Sequence, residues 1–155
     1  MLGFSTTFAQ EPLLREGYHY SLDALSVVDQ ILRFCRENDI RLIAFLPPYP
    51  PSIHERMIHE GKYGYLEQAT TALFTLFEHY DFSLYNFTDG ARIPGQSDRN
   101  FIDGLHGSER TYAAVFLEML EHEPEVLSKY ANANHLQNLL AQPYDNPFVV
   151  FGEPS

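Results

Sequence analysis

The sequence feature that most constrains the fold is a short apolar run in the first third of the chain. Residues 40–46 are Ile-Arg-Leu-Ile-Ala-Phe-Leu, and Pro47 and Pro48 follow directly. A nearly continuous apolar run of this length is typical of a strand buried on both faces of a parallel sheet. Proline lacks the N–H that a central strand needs, so we predict that the strand ends at Leu46. Parallel strands require a crossover connection, usually a helix, so we expect helices on either side.

Helical patterns do flank the predicted strand. Ser21 can cap a helix that extends to about Asn38. Its apolar positions recur at intervals of three and four residues: Leu22, Leu25, Val28, Ile31, Leu32 and Cys35. A second helix is predicted over residues 65–79, and the alternating segment 82–87 is predicted as a second strand. This alternation predicts an α/β fold, a parallel sheet with helices on its faces, in which only two strands are well marked.

The remaining segments are predicted to be shorter or irregular. Pro12 and Gly17 interrupt residues 1–20, so we predict an irregular leader there, with a short extended piece at residues 18–20. The other expected elements are short helices at 52–60, 126–130 and 134–142, a polar loop at 88–105, a longer helix at 108–122 and an apolar run at 148–151. The chain is thus predicted to comprise the leader, an α/β part over residues 21–122, and short helices with a C-terminal tail over residues 123–155.

Net charge and hydropathy exclude some classes of partner. The chain has 10 Lys+Arg against 21 Asp+Glu, a formal net charge of −11, and such a surface repels phosphate backbones and anionic membrane surfaces. We therefore expect no nucleic-acid partner. No window approaches the ~20 apolar residues that span a bilayer, and the first ten residues lack the basic start and apolar core of a signal peptide. The sequence predicts no membrane segment and no export signal of its own, and it leaves the localisation open.

Cys35 is the single cysteine, so no intrachain disulfide can form. It falls on the apolar face of the first predicted helix. We predict that it is a small buried hydrophobic residue and not a reactive thiol.

One pair of residues carries the chemistry of a general base. Asp103 and His106 lie three residues apart in Asn100-Phe-Ile-Asp-Gly-Leu-His-Gly-Ser108, where the predicted loop enters a helix. At this spacing a carboxylate can reach an imidazole, hold its tautomer and stabilise the imidazolium formed when it takes a proton. An alternative interpretation is that Asp103 is a turn residue and His106 an ordinary neighbour of the helix N-terminus.

The strand, polar loop and helix around this pair resemble the last block of SGNH/GDSL hydrolases, including relatives that act on bacterial cell-surface polysaccharides. The resemblance covers residues 21–122 and implies a flavodoxin-like fold, a three-layer parallel sheet with flanking helices, incomplete here because the strands are few. It implies that His106 is the catalytic base and Asp103 its orienting acid. The chain departs from the family pattern at Gly107, where proline is common, and at Thr111, where glycine is often found.

The other half of such a site is absent from this sequence. The family takes its serine from a Gly-Asp-Ser block after the first strand, and its oxyanion donors from a glycine and from the Asn of a Gly-x-Asn-Asp block. Neither block occurs here, and Ser5 has too few residues before it to end a strand. We therefore expect the C-terminal portion of an esterase or O-acyltransferase, acting on an ester-bearing carbohydrate and inactive alone.

The alternative expectation is a non-catalytic α/β domain that acts through protein association. An incomplete sheet leaves an unpaired strand edge, which tends to recruit another chain. The expected partners are a second copy of the chain or the missing N-terminal half. The enzyme interpretation predicts that Asp103 and His106 are hydrogen-bonded at the rim of a cleft, whereas the association interpretation predicts no such cleft.

No metal or cofactor is predicted. His54 and His59 resemble a His-Glu-x-x-His motif, but they are five residues apart, which turns the two imidazoles away from a common helix face. Tyr49 and Tyr63, on either side of a proline-rich segment, could line a substrate cleft or simply pack that segment down.

Overall fold

The architecture consists of six α-helices and two β-strands in the part of the chain that the computed structural model describes, residues 21–143 together with 146 and 148. In chain order the elements are α1 (Leu22–Glu37), β1 (Ile43–Leu46), α2 (Pro51–Glu60), α3 (Gly64–His79), β2 (Ser83–Asn86), α4 (Glu109–His122), α5 (Pro124–Leu127) and α6 (Ala133–Ala141). The predicted alternation of helix and strand is confirmed. The predicted leader, residues 1–20, and the predicted run at 148–151, apart from residue 148, lie outside the described residues.

The two strands form a parallel pair. Ile43 is in register with Ser83 and Leu46 with Asn86, and α2 and α3 provide the crossover that a parallel pair needs. The pairing continues beyond the strands in an isolated bridge between Tyr49 and Asp89. The segments that follow β1 and β2 therefore leave the sheet side by side at its carboxyl edge, where α/β folds place their ligands.

Helices pack on both faces of this sheet because successive side chains of a strand point to opposite faces. Ala44 and Leu84 pack on one face against a cluster formed by α1, α3 and the residue before β2, namely Leu32, Cys35, Phe77 and Phe82. Ile43 and Tyr85 pack on the other face against a cluster built mainly from α4, α5 and α6. Cys35 is buried and free, as predicted.

Local sequence determines where the helices begin and end. Ser21 and Ser108 cap α1 and α4 by accepting hydrogen bonds from backbone N–H groups three residues on. Pro51 occupies the first position of α2, where its missing N–H costs nothing, and Gly61, with φ of 64°, ends that helix in the left-handed conformation. None of the described helices is long and apolar enough to cross a membrane.

One strand is less buried than its sequence predicts. The run that contains β1 has the pattern of a strand buried on both faces, yet no residue of Ile43–Leu46 is fully buried and Phe45 is 37% exposed. The reason is that, within the described residues, β1 pairs with β2 alone and its other edge stays open.

Candidate active site

The candidate site lies in the polar loop between β2 and α4, which is held firmly at its base. Two short 3-10 segments, Gly90–Arg92 and Asp98–Asn100, interrupt the predicted loop. The Asn100 side chain is fully buried and accepts hydrogen bonds from the backbone N–H and the hydroxyl of Ser97, at 3.0 and 3.1 Å. The backbone carbonyl of Asn100 accepts a hydrogen bond from the backbone N–H of Ser108 at 2.9 Å. These bonds join the loop to the start of α4.

Residues 102–106 project from this base as a tight turn. Phe101 and Gly107 form an isolated antiparallel bridge, and the backbone N–H of Ile102 donates to the carbonyl of His106 at 2.8 Å. A Cβ atom at Gly107 would lie only 2.9 Å from Cγ2 of Thr111, which is fully buried. The two departures from the SGNH pattern are thus in contact, because the Thr111 side chain fills the space that a side chain at Gly107 would need.

Asp103 and His106 are hydrogen-bonded at the tip of this turn. Nδ1 of His106 lies 2.7 Å from Oδ2 of Asp103. The other carboxylate oxygen, Oδ1, accepts from the backbone N–H groups of Leu105 and His106 at 2.8 and 2.7 Å. One carboxylate therefore stabilises the turn and orients the imidazole at the same time. Asp103 is both the turn residue and the partner of His106 that the two interpretations of the sequence predict.

These contacts lower the pKa of Asp103. The side-chain hydrogen bond from His106 is the largest cause, followed by the backbone hydrogen bonds from His106 and Leu105, and together they lower the pKa from 3.8 to about 2. The carboxylate thus stays charged over the whole neutral range. A charged carboxylate against Nδ1 favours a proton on that nitrogen and leaves Nε2 as the basic atom.

The pair is open to solvent, with more than half of each side chain exposed. Within the described residues, no group forms a hydrogen bond with Nε2 of His106. The two nearest serines in the sequence are engaged elsewhere, since Ser97 donates to Asn100 and Ser108 accepts from the backbone N–H of Thr111 at 3.3 Å. Within the described residues, neither Ser97 nor Ser108 forms a hydrogen bond with Nε2 of His106.

A cavity of about 610 Å³ lies at the carboxyl edge of the sheet, between α2 and α3. Tyr49 and Tyr63 both line it, as the cleft interpretation predicts, but Asp103 and His106 are not among its lining residues. The structure does not bring the predicted base and the predicted cleft residues together.

A second His–Asp contact beside this cavity has no signal in the sequence. His54 lies on α2 and its Nδ1 is 3.6 Å from Oδ1 of Asp89, just after β2. The two residues are 35 positions apart in the sequence, and they meet because the segments after β1 and β2 leave the sheet side by side. His59 is exposed, and no group of three or more His, Cys, Asp or Glu side chains that could hold a metal ion occurs in the part of the chain that the structure describes.

No protein-family model, curated protein or solved structure matches this chain.

Proposed function

We propose that this chain carries the acid–base part of an SGNH-like esterase or O-acyltransferase, and that residues 21–122 are the C-terminal portion of its three-layer α/β domain. The observation that carries the proposal is the 2.7 Å contact between Nδ1 of His106 and Oδ2 of Asp103. It is supported by the position of the pair in the loop between a parallel strand and a helix, where the resemblance puts it.

In this mechanism His106 acts as the base through Nε2. Asp103 holds the proton on Nδ1, so Nε2 can accept a proton from a hydroxyl nucleophile as that oxygen attacks the ester carbonyl. The imidazolium that results is stabilised by the adjacent carboxylate and returns its proton to the leaving alcohol. The nucleophile and the oxyanion donors are groups that this sequence does not supply.

The expected substrate is an ester-linked acyl group on a carbohydrate. This expectation follows from the resemblance to relatives that act on cell-surface polysaccharides. Asp103 and His106 are more than half exposed and do not line the cavity, so the proposal requires that the missing N-terminal half completes the cleft around Nε2.

The proposal is tested first on the chain as it stands. A serine-directed fluorophosphonate should label none of its serines, and hydrolysis of p-nitrophenyl acetate should be equal in the chain and in its His106→Ala variant. Stoichiometric labelling of any serine would show that the nucleophile is present after all.

The second test uses the nucleotide sequence on the 5′ side of the Met1 codon. We expect it to encode a strand followed by Gly-Asp-Ser. In the longer protein, His106→Ala should lower kcat by about 10²–10⁴-fold, whereas the matched control His122→Ala, at the far end of α4, should not. A coding region without such a block, or an active longer protein indifferent to His106, contradicts the proposal.

A non-catalytic role through protein association is the second candidate function. The specific observation in its favour is the partly exposed β1 strand, which has the sequence of an interior strand but pairs on one edge only within the described residues. The absence of Asp103 and His106 from the cavity lining also agrees with this role.

A further inference from the structure

The cavity between α2 and α3 takes no part in the proposed acid–base chemistry. At about 610 Å³ it is far larger than the voids of a packed interior, few of which exceed a water molecule, and it has the size of a small-molecule site. Leu46 at the end of β1 and Asn86 at the end of β2 both line it. Its size and its place at the carboxyl edge of the sheet are those of a ligand site in an α/β fold.

The walls of this cavity are mainly apolar. One side of α3 supplies Leu66, Ala69 and Leu73, and α2 supplies Met57 and Ile58. Met57 is buried, whereas Ile58 is 70% exposed, so the apolar wall extends from the interior to an open mouth. Such a wall fits the hydrocarbon body of a small ligand.

Three polar side chains in the walls are available to a ligand. Neither the Tyr49 hydroxyl nor the Tyr63 hydroxyl forms a hydrogen bond with another described residue. Burial raises the pKa of Tyr49, so its hydroxyl is uncharged at neutral pH. Nδ1 of His54 lies 3.6 Å from Asp89, which favours a proton on Nδ1 and leaves Nε2 as a hydrogen-bond acceptor. These groups suit a ligand that donates hydrogen bonds.

Charge selects the class of ligand. Among the described residues that line the cavity, Glu67 alone carries a formal charge, and no lysine or arginine is present. The positive end of the α3 dipole would favour an anion, but Glu67 lies in the first turn of that helix and offsets it. A ligand carboxylate or phosphate is repelled by Glu67, whereas an ammonium group is attracted by this carboxylate and by tyrosine rings.

We propose that this cavity binds a small organic amine. The hydrocarbon body of the amine packs against α2 and α3, and its ammonium group lies beside Glu67 and the rings of Tyr49 and Tyr63. Nε2 of His54 accepts a hydrogen bond from any further donor that the molecule carries. The site is separate from Asp103 and His106, and it does not depend on the function proposed for them.

The first test compares three probes of similar shape and different charge at pH 7, namely phenethylamine, 2-phenylethanol and phenylacetate. Ligand-observed NMR with the full chain measures each dissociation constant. We expect about 1 mM for phenethylamine, a value ordinary for so small a molecule. 2-Phenylethanol should bind several times more weakly, and phenylacetate should not bind measurably. Equal binding of the three probes overturns the proposal, and so does a phenethylamine that does not bind.

The second test shows whether the amine binds at the cavity or at the acidic surface in general. Glu67→Gln should raise the dissociation constant of phenethylamine about twofold to fivefold, as expected for the loss of an exposed ion pair. The matched control is Glu78→Gln, which removes the same charge from an exposed position on the same helix outside the cavity lining. The control should leave the dissociation constant unchanged, and equal effects of the two variants overturn the proposal.

The third test fills the cavity. Ala69→Phe should weaken the binding of phenethylamine at least about tenfold, because the added ring takes the space of the ligand. Gln68→Phe, at an exposed position of the same helix outside the lining, should have no effect. Circular dichroism checks the fold of both variants, and undiminished binding by a folded Ala69→Phe variant contradicts the proposed site. If Ala69→Phe does not fold, the comparison of Glu67→Gln with Glu78→Gln decides.

Discussion

At the scale of single residues, the notable side chain is Asp103. A carboxylate at this position accepts three hydrogen bonds, two from backbone N–H groups and one from the imidazole of His106. The backbone bonds hold the turn in the shape that keeps the imidazole within reach. A substitution of Asp103 therefore changes the shape of the loop as well as the charge beside His106.

The pKa of Asp103 should depend on His106 more than on any other residue. We expect the carboxyl group to titrate at about 2 and its pKa to rise towards the usual 3.8 in His106→Ala, because the largest cause of the shift is then lost. Carbon-13 NMR of the carboxyl group measures this directly. His122→Ala is the control and should leave the value unchanged. A value unaffected by His106→Ala would show that the side-chain contact does not form in solution.

The lowered pKa of Asp103 also makes its contribution to stability depend on pH. The folded-state pKa lies below the usual value, so Asp103 contributes stability that is fully present above pH 3.8 and is lost as the pH falls towards about 2. Protonation in that window should loosen the turn at residues 102–106 before the rest of the molecule unfolds.

At the scale of elements, close backbone approaches determine the shape of the long loop. The bridge between Tyr49 and Asp89 brings two loop segments together just beyond the strands. A Cβ atom at Gly90 would lie 2.3 Å from the carbonyl oxygen of Tyr49, a backbone atom that cannot move aside easily. Glycine is required here because of the close approach, since its φ is not in the left-handed region.

Gly90→Ala should therefore destabilise the fold by about 1–3 kcal/mol through overpacking. Gly104→Ala is the matched control, because Gly104 has nothing within 4 Å of a built Cβ, and it should change the free energy of unfolding by no more than about 0.5 kcal/mol. Urea denaturation of the two variants measures the difference. Equal effects would mean that the two loop segments do not meet.

At the scale of the whole molecule, Glu123 joins α4 to the sheet. Its carboxylate accepts hydrogen bonds from Arg41 at 2.8 Å and from the hydroxyl of Tyr85 at 3.0 Å. Burial alone would raise the pKa of Glu123, but the hydrogen bonds from Ser83, Arg41 and Tyr85 outweigh it and the pKa is lowered. Burial and the same carboxylate raise the pKa of Tyr85 to about 12.

Glu123→Gln should lower the free energy of unfolding by about 1–3 kcal/mol near neutral pH, because the charged hydrogen bonds are lost. Since the folded-state pKa is lowered, the contribution is present above the usual value of 4.5 and disappears as the pH falls below it. Urea denaturation at several pH values measures this. The control is Glu121→Gln, because the carboxylate of Glu121 is exposed and accepts a hydrogen bond from the side chain of Gln137. A loss that does not vary with pH would argue against a charged Glu123.

Much of the fold could be predicted because its determinants are local. Ser21 and Ser108 cap helices whose apolar positions repeat at helical spacing, and Pro47 and Pro48 end a strand whose residues are apolar. The contact between Asp103 and His106 is also local, since three residues in a turn suffice to bring the groups together. Long-range contacts left no such signal. His54 and Asp89, or Arg41 and Glu123, meet through sheet pairing and helix packing, and no spacing in the sequence indicates them.

The sequence by itself determined the order of the elements, the position of the Asp103–His106 contact and the apolar character of β1 and α1, because each depends on neighbouring residues or on a period. Only the tertiary structure decided which apolar surfaces are covered. Val27, Ile31 and Phe34 have the same hydrophobicity as buried residues of α1, and they are exposed because packing with α3 and the sheet takes up the other side of the helix. Burial depends on which elements lie alongside, and hydropathy alone does not contain that information.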